Sequence, residues 1–327
     1  MKDSWRTRIA LVFLSSLLTF IALELCYRVF LQRSFEKRKT SDRPHTYYLP
    51  SNTRSNQDYS YSKIKSKNTF RIAVIGDSFT FGDGVQLDDT FSKRLERMLR
   101  LENSSLSAEV LNFGVPGNAT VHEVEVAKKA INDYHPDLLI LQITLNDPEV
   151  APFRQRAQAE INHALANPLF KYSHLLRYIA KRIYFSRSHK DYKEYYTQIF
   201  ENKENWKLFQ DSLLEIQELA QKNNTPLIAA LFPLFYGQMS SDYPFTELHQ
   251  KIRSLLRERK FPLIDLLPFY REIPANRLEI IPGKDGHPNE IAHRIAAEAL
   301  YEWLKKRAYL PSELVVTKAV KKRRYAP

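Results

Sequence analysis

The stretch Arg71-Ile72-Ala73-Val74-Ile75-Gly76-Asp77-Ser78 constrains this chain more than any other. Its apolar run is long enough for a buried strand and too short for a helix. The run breaks at Gly76, and a serine stands two residues later. In an open α/β sheet, chemistry collects just past the carboxyl ends of buried strands. Gly, Asp and Ser are also ordinary turn formers, so taken alone the stretch reads equally well as a strand followed by a turn.

The rest of the chain repeats the pattern. Short apolar runs at Glu109–Phe113, Asp137–Thr144, Pro226–Phe232 and Pro262–Leu266 read as four further strands. Segments of helical period lie between and after them. Asp89–Leu101 carries Phe91, Leu95, Met98 and Leu99; Thr120–Tyr134 carries Val121, Val124, Ala127 and Ile131. Trp206–Lys222, Phe245–Arg259 and Pro288–Arg307 follow, the last with Ile291, Ile295, Ala299 and Leu300. Strands alternating with helices predict an α/β fold of three layers, α/β/α, with a parallel five-stranded sheet covered on both faces.

Ahead of this body, Ile9 to Leu23 is apolar apart from Ser15, Ser16 and Thr19. A helix from Ile9 to Tyr27 would rise roughly 28 Å, close to the hydrocarbon thickness of a bilayer. Glu24 and Arg28, four residues apart, can pair on one helix face near the interface. No small-x-small cleavage site follows, which favours an uncleaved N-terminal transmembrane anchor over a signal peptide. The expected organisation is an anchor at 1–33, a polar linker at 34–69, a domain at 70–307 and a basic tail at 308–327. Residues 148–200, rich in Tyr, Phe, Lys and Arg, are too long for a loop and read as a helical insertion in that domain. It suits a roof over a site or a rest against a membrane, with plain packing the simpler reading.

Charge narrows the partners. The net charge of +12 is concentrated at the ends: residues 1–43 hold nine Lys/Arg against four Asp/Glu, and residues 308–327 hold five against one. A nucleic-acid footprint belongs on the folded domain, whereas basic flanks of an apolar segment meet anionic lipid headgroups. The expected partners are therefore membrane lipids and no nucleic acid. Cys26 is the only cysteine, which excludes an intramolecular disulfide and a cysteine-based zinc site. His122, His135 and His249 have no partners at ligand spacing, and Gly82-Asp83-Gly84 lacks a phosphate-loop continuation, so neither metal nor cofactor is expected.

Four groups of residue types fit one reaction. Ser78 follows the first strand, Gly117 the second and Asn146 the third, while His287 immediately precedes the last helix. Parallel strands end on one rim, so the first three converge by topology. A serine hydroxyl is a weak nucleophile until a base takes its proton, and histidine does this near neutral pH. Asp285 is placed to orient the imidazole. The backbone N–H groups of Ser78 and Gly117 and the side-chain amide of Asn146 would supply the donors of an oxyanion hole.

These residues resemble the SGNH (GDSL-type) hydrolase family, named for blocks carrying Ser, Gly, Asn and His. The blocks here are Gly76-Asp77-Ser78-Phe79, Asn112 to Gly117, Thr144-Leu145-Asn146-Asp147 and Asp285-Gly286-His287-Pro288. The resemblance covers roughly residues 70–306. It implies a flavodoxin-like SGNH fold and a serine esterase acting on an acyl ester, for example O-acetyl on an envelope glycan or a lipid, through an acyl-Ser78 intermediate. It also implies an extracytoplasmic body, whereas the count of Lys and Arg after the apolar segment favours a cytoplasmic one. Three positions depart from the family: Phe79 replaces the usual Leu, Thr144 the common Gly, and the acid stands two residues before the histidine rather than three. A Ser78–His287 dyad aided by a backbone carbonyl is the alternative to a triad. O-acyl transfer to an envelope polysaccharide is the second functional reading, and a catalytically degenerate anchored binding module the third. Asp77 reads as a brace for the turn, Asp147 as a cap for the next helix, and His293 as surface or core.

Overall fold

The computed structural model describes residues 3–31, 58–100, 105–150, 172–180, 183, 192–237, 239–283 and 285–315. They fall into two units, one from Met1–Thr46 with Ala151–Glu194 and the other from Tyr47–Val150 with Tyr195–Pro327.

The larger unit is built on five parallel strands: β1 Thr69–Gly76, β2 Ser107–Gly114, β3 Leu138–Ile143, β4 Leu227–Leu231 and β5 Leu263–Asp265. They lie in the order β2-β1-β3-β4-β5, so the chain reverses direction across the sheet between β1 and β3. The expected α/β architecture is therefore present, with the flavodoxin-like strand order. Residues 71–76 and every residue of β3 and β4 are buried, as continuous apolar runs under helical cover should be. In chain order, after the N-terminal helix α1 Asp3–Cys26, the described helices of this unit are the single turn α2 Ser78–Phe81, α3 Phe91–Arg100, α4 Thr120–Tyr134, α5 Tyr192–Glu201 (in this unit from Tyr195), α6 Lys203–Lys222, α7 Thr246–Glu258 and α8 Glu290–Lys306.

Helical periodicity located the helices well but their buried faces less well. In α3, Phe91, Leu95 and Leu99 are buried as anticipated, yet Lys93 and Glu96 are buried too. Lys93 Nζ reaches Asp58 at 2.6 Å, Tyr61 Oη at 2.8 Å and the Val110 carbonyl at 2.5 Å. Asp58 also accepts from the Asn112 amide, and Arg71 donates to the carbonyls of Ser62 and Lys63. Residues 58–68 are thus tied to the body by paired buried charges, although their sequence is polar and they hold no regular element. In α8 the buried side chains are the alanines, Leu300, Tyr301 and Leu304 together with His293, whose ring stacks on Phe91 at 5.9 Å. His293 is core, and burial pushes its imidazole down to about 3. An antiparallel ribbon unforeseen in the sequence, β6 Glu279–Ile281 with β7 Asp285–Pro288, precedes α8.

Close backbone approach explains Gly114 at the end of β2. A Cβ there would lie 2.0 Å from the Phe81 amide nitrogen, which is backbone and cannot swing aside. Gly114→Ala is expected to destabilise the protein by about 3 kcal/mol, the upper part of the range for overpacking, measured as a lowered urea midpoint.

The smaller unit holds α1 Asp3–Cys26, continued by a π-helical turn Tyr27–Leu31. Trp5–Val29 is long and apolar enough to cross a membrane, by length and composition. The Ser15 and Thr19 hydroxyls donate to the backbone carbonyls of Val12 and Ser15, at 3.0 and 2.8 Å, which satisfies them without water. Glu24 and Arg28 pair at 2.7 Å, as their spacing predicted. The other Glu24 partners are distant in sequence: it accepts from Ser173 Oγ at 2.7 Å and from the amides of His174 and Leu175 at 2.8 and 2.9 Å. Arg28 donates to the Tyr172 carbonyl at 2.8 Å, and the Tyr27 and Tyr178 rings lie 5.2 Å apart. Residues 174–180 are helical, so one carboxylate caps the start of a helix about 150 residues away. Most of the expected linker, much of the expected insertion and the tail from residue 316 lie outside the described residues.

Candidate active site

β1 delivers the serine through a tightly braced turn. Gly76 is required by space, since a Cβ would sit 2.2 Å from Gln142 Oε1 and 2.3 Å from Thr80 Oγ1. Asp77 caps α2 through Oδ1, which accepts from the Phe79 amide at 2.8 Å. Gln142, buried within β3, accepts from the amides of Asp77 and Thr80, both at 3.2 Å, and from the Thr80 hydroxyl at 2.8 Å. Gly82 closes the turn in the left-handed conformation, φ 80°. Ser78 opens α2, so its own N–H has no acceptor within that helix.

The histidine arrives on β7. Its Nε2 lies 2.9 Å from Ser78 Oγ, and its Nδ1 lies 2.5 Å from Asp285 Oδ1. Asp285 stands two residues before His287 on an extended strand, where alternate side chains share one face. An offset of two therefore suffices for the acid to reach the ring. Pairing of β7 with β6 holds the strand, and Asn289 caps α8 by accepting from the amides of Ile291 and Ala292 at 3.0 and 3.1 Å. Phe79 lies 5.8 Å from the imidazole and also faces Phe232 and Phe235, at 6.0 and 6.1 Å. The aromatic in place of leucine thus forms a wall against the base.

Asn146 joins the same turn from β3. Its Nδ2 donates to Asp77 Oδ2 at 2.9 Å, and its Oδ1 accepts from the Thr144 hydroxyl. Gly117 takes φ 83°, the left-handed region that favours glycine, in a loop fastened to β1 by the Val115 amide on the Gly76 carbonyl at 3.0 Å. Among the described residues no hydrogen bond links Gly117 to Ser78, His287 or Asn146. Ser78, His287 and Asp285 form one hydrogen-bonded chain, with Asn146 connected to it through Asp77 and Gly117 placed by its loop alone.

Of three further carboxyls, only Asp147 departs from its sequence reading. Asp77 is the brace expected of it. Among the described residues Asp147 caps no helix; it accepts from the Thr144 amide at 2.5 Å and from the Thr120 hydroxyl at 2.8 Å. Burial raises its carboxyl well above the carboxylate range, and the neighbouring Asp77 charge raises it further. Glu123 is buried beside them, and neither of its carboxyl oxygens has a hydrogen-bond partner among the described residues. Desolvation, then the Asp147 and Asp77 charges, push its carboxyl well above the usual carboxylate range. His249 pairs with Asp265 at 2.8 Å. No group of three or more His, Cys, Asp or Glu among the described residues has the arrangement of a metal site.

Sequence reasoning missed Gln142 and Asn112 as supports of the serine turn. Asn112 donates to the Thr80 carbonyl at 2.7 Å and accepts from the Gly114 amide at 2.9 Å. Gln142 was visible as the one polar residue in Leu138–Ile143.

A strand-end serine engaged by a histidine, at the point where a five-stranded parallel sheet reverses its order, is the site arrangement of an SGNH-type serine hydrolase. Residues 74–295 match the GDSL-like Lipase/Acylhydrolase family, and the chain belongs to that family of ester-bond hydrolases. Among solved structures, the psychrotrophic esterase EstA from Pseudoalteromonas sp. is 15% identical with a TM-score of 0.42, covering 75% of this chain and 100% of its own. A catalytic mutant of Axe2, an acetylxylan esterase from Geobacillus stearothermophilus, is 15% identical with a TM-score of 0.43, covering 74% of this chain and 96% of its own. No curated protein matches the chain.

Proposed function

We propose that the protein is a membrane-anchored serine esterase that cleaves a small acyl ester through an acyl-Ser78 intermediate. The observation that carries this reading is the Ser78–His287–Asp285 chain, at 2.9 and 2.5 Å. His287 Nε2 takes the Ser78 proton as Oγ attacks the ester carbonyl, and Asp285 holds the Nδ1–H and the imidazolium that forms. The oxyanion meets the N–H groups of Ser78 and Gly117 and the second N–H of the Asn146 amide. Collapse expels the alcohol with the proton from His287. Water then attacks the acyl-serine by the same route, returning Ser78 and releasing the acid. Because Asp285 reaches the imidazole despite its shifted position, a triad is favoured over a dyad and over a degenerate binding module.

The anchor supports a substrate at the membrane or envelope, such as an O-acetylated glycan or lipid. Residues 1–33 serve as the anchor, residues 70–307 as the catalytic domain with its insertion, and the body faces the extracytoplasmic side. Two measurements test this. A fluorophosphonate probe is expected to label the full-length protein in detergent on Ser78, identified by peptide mass; absence of labelling would sink the acyl-serine mechanism. In right-side-out spheroplasts, external protease is expected to degrade the body, and a protected body would reverse the orientation.

A further inference from the structure

The family resemblance makes position 144 a departure, since glycine is common where this chain has threonine. Thr144 is fully buried, at 0% exposure, between two buried carboxyl groups, Asp77 at 1% and Asp147 at 2%. Its hydroxyl contacts three oxygens: Asn146 Oδ1, Asp147 Oδ2 at 3.2 Å and Asp77 Oδ2 at 3.4 Å. A hydroxyl has one hydrogen to give and can accept others. Asn146 Oδ1 has no other donor among the described residues, whereas Asp77 Oδ2 already receives Asn146 Nδ2 at 2.9 Å, so the hydroxyl hydrogen goes to Asn146. Asp147 Oδ2 already accepts from the Thr144 amide at 2.5 Å and does not need that hydrogen. Asp77 must stay an acceptor, because it receives both the Phe79 amide and Asn146 Nδ2.

The bonds run in one direction, from the Thr144 hydroxyl to Asn146 Oδ1 and from Asn146 Nδ2 to Asp77 Oδ2. Reversing the Asn146 amide would set its oxygen against the Asp77 carboxylate and break the chain at two points. We infer that Thr144 is a positioning residue whose hydroxyl fixes the orientation of the Asn146 amide, committing one N–H to Asp77 and reserving the other for the oxyanion. This rests on the esterase reading of the site. A glycine at 144 would leave the Asn146 carbonyl without this donor, so this chain orients its oxyanion amide by a side chain at that position.

The test compares Thr144→Val, Thr144→Ala and Thr144→Ser in the full-length protein with an activated acetyl ester. Valine keeps the shape without the hydroxyl, alanine removes the hydroxyl without adding a methyl, and serine keeps the hydroxyl. The expected result is a fall in kcat of about 10-fold for valine or alanine, less than the loss of a whole oxyanion donor, with KM changed less than about 2-fold. Serine should stay within about 3-fold of the parent protein. In an Asn146→Ala background, the same substitutions should have little further effect, because they act through the missing amide. A full 10-fold fall in that background, or unchanged kcat in both hydroxyl-free variants, overturns the inference. Ser78→Ala run beside them separates the two levels: if it keeps activity, the esterase reading itself has failed, whereas an inactive Ser78→Ala with an unaffected Thr144→Val rejects only the role of Thr144.

Discussion

Replacing Ser78 with alanine is expected to lower kcat for an activated acetyl ester by a factor on the order of 10⁵ to 10⁶. The size of the effect follows from the geometry. Ser78 Oγ is the atom that His287 Nε2 addresses at 2.9 Å. The methyl group of alanine leaves the strand, the α2 turn and the Asp77 cap in place, because none of their bonds uses the serine hydroxyl. Stability in urea should therefore be close to that of the parent protein while activity is lost. Residual hydrolysis would come from water attacking an ester held against the oxyanion donors. Full activity in this variant would refute the assignment of the nucleophile.

Asp285→Asn is expected to cost about 10⁴-fold in kcat, with KM little altered. Asparagine is nearly the same shape, but its amide can present N–H as well as oxygen to the ring. It no longer enforces the tautomer that leaves Nε2 able to accept the serine proton, and it brings no charge to balance the imidazolium. The measurement is kcat for the purified full-length protein. A loss below about 10-fold would place the orienting role on a backbone carbonyl and make the site a dyad.

The fold was legible because its determinants are local. The five apolar runs and the helical segments between them follow from periodicity, and a parallel sheet aligns the strand ends without further information. The placing of Ser78 and Asn146 past β1 and β3 was legible for the same reason, whereas His287 was placed by its position just before the last helix. Harder to read was anything set by contacts between distant segments. The burial of Lys93 depends on Asp58, Tyr61 and the Val110 carbonyl, which come from different parts of the chain. The β6–β7 ribbon has only three and four residues in its strands, too few for a period-2 pattern to stand out. Asp285 seemed misplaced when counted along the sequence, but on an extended strand the distance that matters is across one face. Asp147 was read as a helix cap from its type, whereas its partners, Thr144 and Thr120, belong to a loop and to the first residue of α4.

The Glu24 carboxylate has a consequence for the fate of the N-terminal helix. A processing peptidase that removed this segment after export would leave Ser173, His174 and Leu175 without their common acceptor, and Tyr178 without the Tyr27 ring. Loss of a cap of this kind costs a helix about 1 kcal/mol. Removing the N-terminal segment would thus alter the structure around residues 172–180. The N-terminal helix is a folding template for that part of the chain, so retention of this segment and integrity of the helix at 174–180 are a single property.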